Sequence, residues 1–373
     1  MSKKIVILKF RSFSHVNHRI RNVLESRFPQ NEVVEIDVWR MIVDDRLLYI
    51  RILFWGFFKY FHLIVKGHQD LIDASLHTPL ALRTIKKRLQ YLFHDEDLLF
   101  SFQTQSFFDG SISGVPHFIY TDHTHLVNFT VPQWNSNKFW GKQWVTMEKS
   151  IYNAAIKVYT WSEHVRQSVI NDYGIPAARV VKVGVGSNID GNVNLGCNVV
   201  RYQNRIIIFV GVAWERKGGP ELFEAFKLVS KKFPDTRLRI IGCSPKISYT
   251  NVEIIGRVSI EQVRTEMLNA SIFCLPSRSE PFGIAVTEAM HFALPTITSN
   301  IEAMPEIVVE NETGYLVPPC DPAALAGALE RLLISPELCK KMGEAGRKRA
   351  CELFTWERVG ESIEKYTRSV LMQ

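Results

Sequence analysis

The sequence has no Cys-x-x-Cys pair: its six cysteines sit apart at positions 197, 243, 274, 320, 339 and 351. That scatter offers neither a disulfide framework nor a paired zinc-ligand spacing, and it predicts buried thiols in a reducing compartment. Neither half of the chain follows its first expected strand with Gly-x-Gly-x-x-Gly, which disfavours a dinucleotide-dependent dehydrogenase. A long uncharged apolar run is missing too. The most apolar stretch, Leu47 to Val65, is cut by Arg51 and Lys59 to seven uncharged residues, whereas a spanning helix takes about 20. Met1-Ser-Lys-Lys leads straight into a short strand-like run with no signal-peptide pattern. The expectation is a cytoplasmic protein.

What is present fills two domains. A chain of 373 residues exceeds the roughly 250 to 300 at which a single core stops growing. The net charge of +7 suits anionic substrates, nucleic acid or an acidic membrane face and by itself does not choose among them; the partners expected do not include nucleic acid. The aromatic stretch around Phe54, Trp55, Phe57, Phe58, Tyr60 and Phe61 is interleaved with Arg46, Arg51, Lys59 and Lys66. Two readings stand for segment 46–66. One is an ordinary buried helix of the first domain. The other is a helix in a lipid interface with its basic groups toward anionic head groups.

Strands expected at Lys4 to Lys9, Val33 to Val38, Leu98 to Gln103, His117 to Thr121, Lys157 to Thr160 and Val180 to Val183 alternate with helical stretches, as in a parallel sheet covered on both faces. Loops at the carboxyl ends of such strands line the ligand crevice. That singles out Arg11, Ser12, His15 and His18 as candidate acceptor contacts, and His123 with His125 after the fourth strand. No third metal ligand lies nearby, so a metal site is disfavoured there. Asp95-Glu-Asp97 precedes a strand and reads as a polar turn. The Phe129 to Trp144 stretch, rich in aromatics and Asn, is a candidate acceptor-side loop. Asp190 to Asn204 has little apolar periodicity and is the expected linker.

In the second half, Trp214-Glu-Arg216-Lys217-Gly218-Gly219 lies between a strand and its helix. Two cations beside two glycines suit a diphosphate, because glycine admits close backbone approach while Arg and Lys neutralise charge. Further on, the strand ending at Leu275 runs through Pro-Ser-Arg-Ser-Glu280-Pro-Phe-Gly283 into a helix carrying Glu288, about two turns in. A helix N-terminus presents unpaired amides to an anion. Two glutamates alone would be weak evidence, since most on a surface helix are simply solvated.

The whole run Pro-Ser-Arg-Ser-Glu-Pro-Phe-Gly-Ile-Ala-Val-Thr-Glu-Ala-Met closely resembles the donor-site signature of retaining glycosyltransferases of family 4, which have the GT-B fold. The resemblance is dense from about Ile206 to Arg349 and thin before Ile119. It implies an α/β protein of two Rossmann-like doubly wound domains facing a central cleft. Residues 1–195 would bind the acceptor and 196–354 the nucleotide-sugar donor, with a terminal helix, 355–373, crossing back. It further implies transfer of a sugar from a UDP- or GDP-sugar to a hydroxyl of a glycan or lipid-linked acceptor, with retention and without an obligatory metal or other cofactor. Arg216, Lys217 and the amides after Gly283, at Ile284 and Ala285, would hold the donor phosphates. Glu280 would position the sugar, Glu288 the ribose, and Arg257 with Val258 the nucleotide; His123 would contact the sugar. Val212 stands where many relatives place an arginine, and the first loop lacks their glycine-rich turn. A nucleotide-sugar epimerase on the same architecture and a non-catalytic nucleotide-sugar binding protein remain as alternatives.

Overall fold

The computed structural model describes residues 3–11, 16–130, 140–189 and 200–372. The chain divides into two compact units, Met1–Gly184 with Trp356–Gln373, and Val185–Thr355. The division falls at Gly184 rather than in the expected linker. Of that linker, 190–199 lies outside the described residues, while Val200–Gln203 is a helical turn of the second unit: Arg201 is buried there and donates to the carbonyls of Phe292 and Ala293. A polar-looking segment is thus tied down by one arginine whose guanidinium serves two carbonyl oxygens, that of Ala293 being shared with the Tyr202 hydroxyl.

In the first unit, β1 (Lys4–Lys9), β2 (Val33–Asp37), β3 (Leu98–Thr104), β4 (His117–Thr121), β5 (Lys157–Thr160) and β6 (Val180–Lys182) form one parallel sheet in the order β2-β1-β3-β4-β5-β6. The strands are nearly continuous apolar runs because both faces are covered, β4 being buried throughout. The order reverses between β1 and β3, so the crevice of this sheet lies at their carboxyl ends. Its helices are α1 (Val16–Arg27), α2 (Val38–Asp44), α3 (Arg46–Val65), α4 (Leu71–Leu76), α5 (Pro79–Leu92), α6 (Lys142–Ala154) and α7 (Glu163–Asn171).

The second unit repeats the plan. After the turn α8 (Val200–Gln203), the strands β7 (Ile206–Val210), β8 (Arg237–Ile241), β9 (Val252–Gly256), β10 (Ile272–Leu275), β11 (Thr296–Ser299) and β12 (Gly314–Val317) lie in the order β12-β11-β10-β7-β8-β9, all parallel. This is the dinucleotide-fold order, and its reversal falls between β7 and β10. The helices are α9 (Gly219–Lys232), α10 (Ile260–Asn269), α11 (Ile284–His291), α12 (Met304–Ile307), α13 (Pro322–Ile334) and α14 (Pro336–Leu353). Their starts follow the sequence: the Ser259 hydroxyl accepts from Gln262 N–H at 3.2 Å, and Asp321 caps α13 through Ala324 N–H.

The last helix, α15 (Trp356–Leu371), belongs to the first unit and packs on α1. Arg27 reaches Glu357 and Glu364, Arg368 lies over the Phe28 ring, and Tyr159 shares a hydrogen bond with the buried Thr367.

Three expectations fail. The cysteines are not uniformly buried: Cys274 and Cys339 are, but Cys351 is exposed on α14, because its helix turns only Cys339, Met342, Gly343, Gly346 and Ala350 inward. Of the expected acceptor-side loop, Phe129 to Trp144, residues 131–139 lie outside the described residues, while Trp140 and Trp144 at its end belong to the core. They close on the buried ring of His77, Trp140 stacking on it at 4.3 Å. The helix of segment 46–66 is not a buried one either, since only Leu48, Ile52 and Gly56 of α3 are inside.

Candidate functional site

At the carboxyl ends of β7 and β10, two loops are joined backbone to backbone. Gly218 has φ +73°, and a Cβ there would lie 1.8 Å from the Pro276 carbonyl oxygen, so only glycine permits the approach. Arg278 N–H donates to Arg216 O at 2.8 Å, and the Arg216 guanidinium returns a bond to Ser279 O at 2.7 Å. Gly219 faces the Trp214 ring, where a Cβ would be 2.1 Å from it. The glycines expected to admit a ligand therefore first admit the neighbouring loop.

This seam brings the expected charges together. Lys217 forms a buried ion pair with Glu280, whose carboxylate also accepts from the Ser277 hydroxyl. The Glu280 N–H donates to Glu302, which accepts from the Ser279 hydroxyl as well. Arg278 pairs with Glu221. Lys217 and Arg278 thus pair with Glu280 and Glu221 while Arg216 bonds to a carbonyl, and the Lys217 charge is balanced by Glu280 rather than left to a phosphate alone.

Gly283 ends the loop at φ +85° and caps α11; a Cβ would meet Met304 at 2.6 Å. The first intrahelical bond is Val286 N–H to Gly283 O, so the amides of Ile284 and Ala285 precede the helical ladder. Glu288 lies half-buried on the same helix. Burial pushes its carboxyl up to about 7 from 4.5, opposed by hydrogen bonds from the Asn188 side chain and backbone. Arg257 is exposed after β9 and Val258 half-buried beside it. Val212 is exposed and offers no charge where an arginine would stand.

In the first unit, His123 sits half-buried in the loop after β4. Asn128 donates its amide N–H to the His125 carbonyl at 3.1 Å, which leaves its oxygen facing His123 Nε2 at 2.8 Å. Neutral His123 therefore carries its proton on Nε2, and Nδ1 is the basic nitrogen. The loop is anchored from below by Glu148, which is 2% exposed. It accepts from Ser106 at 2.8 Å, from His125 N–H at 3.2 Å, and from Tyr152 and Tyr173. Tyr173 in turn accepts from Leu126 N–H. Burial raises the Glu148 pKa and these bonds oppose the rise.

Of the first-loop candidates, Ser12 and His15 lie outside the described residues. His18 is exposed on the first turn of α1. Arg11 has φ +60° and places its guanidinium 3.9 Å from the centre of the Trp39 ring. A non-glycine residue thus takes the left-handed backbone that a glycine-rich turn would supply.

Glu302, Arg278, Asn188 and Glu148 went unmarked in the sequence. Arg278 lies within the donor-site run that carries the resemblance, which is its usable signal; Glu302 has positive φ, at +44°.

Two doubly wound parallel units, the second with its charged seam at the switch point, define the GT-B class. Residues 198–349 match the model of the family "Glycosyl transferases group 1". The chain is 27% identical over 241 residues to the MMP alpha-(1->4)-mannosyltransferase of Mycolicibacterium hassiacum, covering 61% of this chain and 57% of that protein. It spans about half the length of the curated relatives it matches. Among solved structures, sucrose-phosphate synthase from Thermosynechococcus elongatus superposes with TM-score 0.69 at 17% identity, covering 99% of each chain. Anabaena HepE in complex with UDP gives 0.68 at 13% identity, over 98% of this chain and 100% of that one. These structures share the fold.

Proposed function

We propose that the chain is a retaining glycosyltransferase that moves a sugar from a nucleoside diphosphate sugar to a hydroxyl of a glycan or lipid-linked acceptor. The observation that carries the reading is the seam itself: Arg216 and Lys217 bond to the loop that runs through Ser279 and Glu280 into the first turn of α11. The family match over 198–349 and the UDP bound by a protein of the same fold support it.

In this reading the bond from the anomeric carbon to the diphosphate oxygen breaks as the acceptor oxygen bonds to that carbon. The acceptor proton passes to the leaving phosphate on the face of attack, which retains the configuration. Arg216, Lys217 and the Ile284 and Ala285 amides stabilise the charge that grows on the phosphate. Glu280 accepts from the sugar hydroxyls while Lys217 holds it in place, and Glu288 accepts from the ribose. Arg257 and Val258 flank the nucleotide, and His123 serves as a catalytic side chain of the first unit. No metal takes part in the proposed chemistry.

The test is product formation with a panel of UDP- and GDP-sugars and hydroxyl acceptors. A glycoside of retained configuration is expected, with Glu280→Gln lowering turnover about 100-fold or more. Donor turned over to an epimer, with no glycoside under any acceptor, would replace the transferase with an epimerase.

A further inference from the structure

We propose that α3 docks this chain on an anionic lipid surface, lying in the plane of the interface; the proposal does not rest on the transferase reading. Seven large apolar residues of this helix, Leu47, Ile50, Phe54, Trp55, Phe58, Phe61 and Val65, are between 51 and 82% exposed. Leu47, Ile50, Phe54 and Phe58 recur at intervals of three and four and form one face; the backbone kinks at Tyr60 (φ −114°, ψ 22°), and Phe61 and Val65 are exposed beyond it. The rings interlock along the helix, Phe54 with Phe58 at 4.6 Å and Phe57 with Phe61 at 5.2 Å.

The face cannot roll inward. The opposite stripe, Leu48, Ile52 and Gly56, is the buried one, and a Cβ on Gly56 would lie 2.1 Å from the Ser75 hydroxyl of α4. That contact fixes the rotation of the helix, leaving the aromatic side outward.

Charge names the occupant. From Arg46 to Lys66 there is no Asp or Glu, while Arg46, Arg51, Lys59 and Lys66 are spread along the length. A groove of about 530 Å³ between α3 and α5 adds Lys87 and Arg88 beside Arg51, with Leu47 and Tyr91 on its walls. The acids nearby are Asp44 and Asp45 at the N-terminal end, Asp45 being 3.9 Å from Arg88, and Asp70 and Asp73 at the start of α4, which packs against α3. Apolar rings at the depth of the acyl boundary with cations at its rim match an anionic head-group layer.

Two other occupants fit less well. A second copy would set two such basic faces against each other, at a cost in like-charge repulsion. A membrane-spanning α3 has the length and hydropathy, but it would carry Arg51 and Lys59 into hydrocarbon and strip the buried stripe from α4.

Flotation with vesicles tests the idea. The full chain is mixed with phosphatidylglycerol-rich or pure phosphatidylcholine vesicles and spun through a density step. The wild type should float with the anionic vesicles and bind neutral ones about tenfold less or weaker, with high salt releasing it. Phe54→Ser with Phe58→Ser should abolish flotation at unchanged Tm; Arg51→Glu with Lys87→Glu should do the same, and it reads the question should the first variant unfold. Wild type left at the bottom with anionic vesicles overturns the proposal. So does flotation insensitive to both variants, a dimer in sedimentation equilibrium that the phenylalanine variant dissociates, or recovery from cells only with detergent.

Discussion

The two units build their candidate residues into place by opposite means. In the second, the loops after β7 and β10 meet through main chain, and Gly218 marks the closest approach. In the first, the loop carrying His123 is held by side chains that converge on one buried carboxylate, Glu148. A backbone seam tolerates few residues at its crossing points but leaves the rest of the loop free to carry charge. A side-chain network fixes geometry only while every donor and acceptor stays paired.

The sharpest way to break this comparison is a glycine-to-alanine pair. Gly218→Ala puts a methyl group 1.8 Å from the Pro276 carbonyl, in a left-handed conformation. The loops must part, at a cost of about 3 kcal/mol or more, and the second unit should lose much of its thermal stability. Gly184→Ala in the first unit has similar φ, +80°, and open space around its Cβ. It should cost about 1 kcal/mol. Equal losses in calorimetry would show that the seam does not depend on close approach.

The same contrast explains what was legible in the sequence. Gly218, Gly283, Arg216, Lys217 and Glu280 are neighbours along the chain, each in one of two short runs, so their types and spacing expose the seam. The Glu148 network draws on residues 106, 125, 148, 152 and 173, which no local pattern links, and Glu148 alone looks like any helix carboxylate. The strands were readable because buried parallel strands are apolar runs flanked by loop residues. The exposed side of α3 was not, because composition reveals how apolar a helix is and not which neighbour covers it. Only Gly56 against Ser75 decides that. The Lys217–Glu280 pairing is hidden too, since the two residues lie 63 positions apart and the resemblance implies a separate ligand for each.

Removing one partner of that pair comes next in size. Lys217→Ala leaves the Glu280 carboxylate buried without its cation, which should cost about 3 kcal/mol. It should also lower transfer about 100-fold. Lys217→Ala with Glu280→Gln should recover part of the stability and none of the turnover. Full recovery of both would remove Lys217 from the proposed phosphate site.

In the first unit, Glu148→Gln exchanges an acceptor for a donor amide amid four donors. A loss of about 2 kcal/mol is expected, with faster amide exchange at His125 and Leu126, whose N–H groups the network holds. Stability lost without any change at those two amides would make Glu148 a core residue with no hold on the loop.

The smallest effect separates stability from binding at one residue. Glu288 titrates near 7 in the folded chain, against 4.5 ordinarily, because burial disfavours its charge. A carboxyl raised in this way binds its proton more tightly folded than unfolded. The resulting stabilisation is complete below about pH 4.5 and is lost as pH rises through 7. Glu288→Gln removes the titration, so the variant should gain on the wild type across that window by about 1 kcal/mol, a partly accessible carboxyl feeling less than the full penalty. Nucleotide affinity should run the other way. Ribose hydroxyls donate best to a carboxylate, so wild-type binding, corrected for the nucleotide's own ionisation by comparison with the variant, should strengthen as pH rises through 7. Thermal unfolding and calorimetric titration of both proteins at matched pH give the two slopes. Opposite slopes would place the ribose on Glu288, whereas a stability slope with no binding slope would leave Glu288 to its bonds with Asn188.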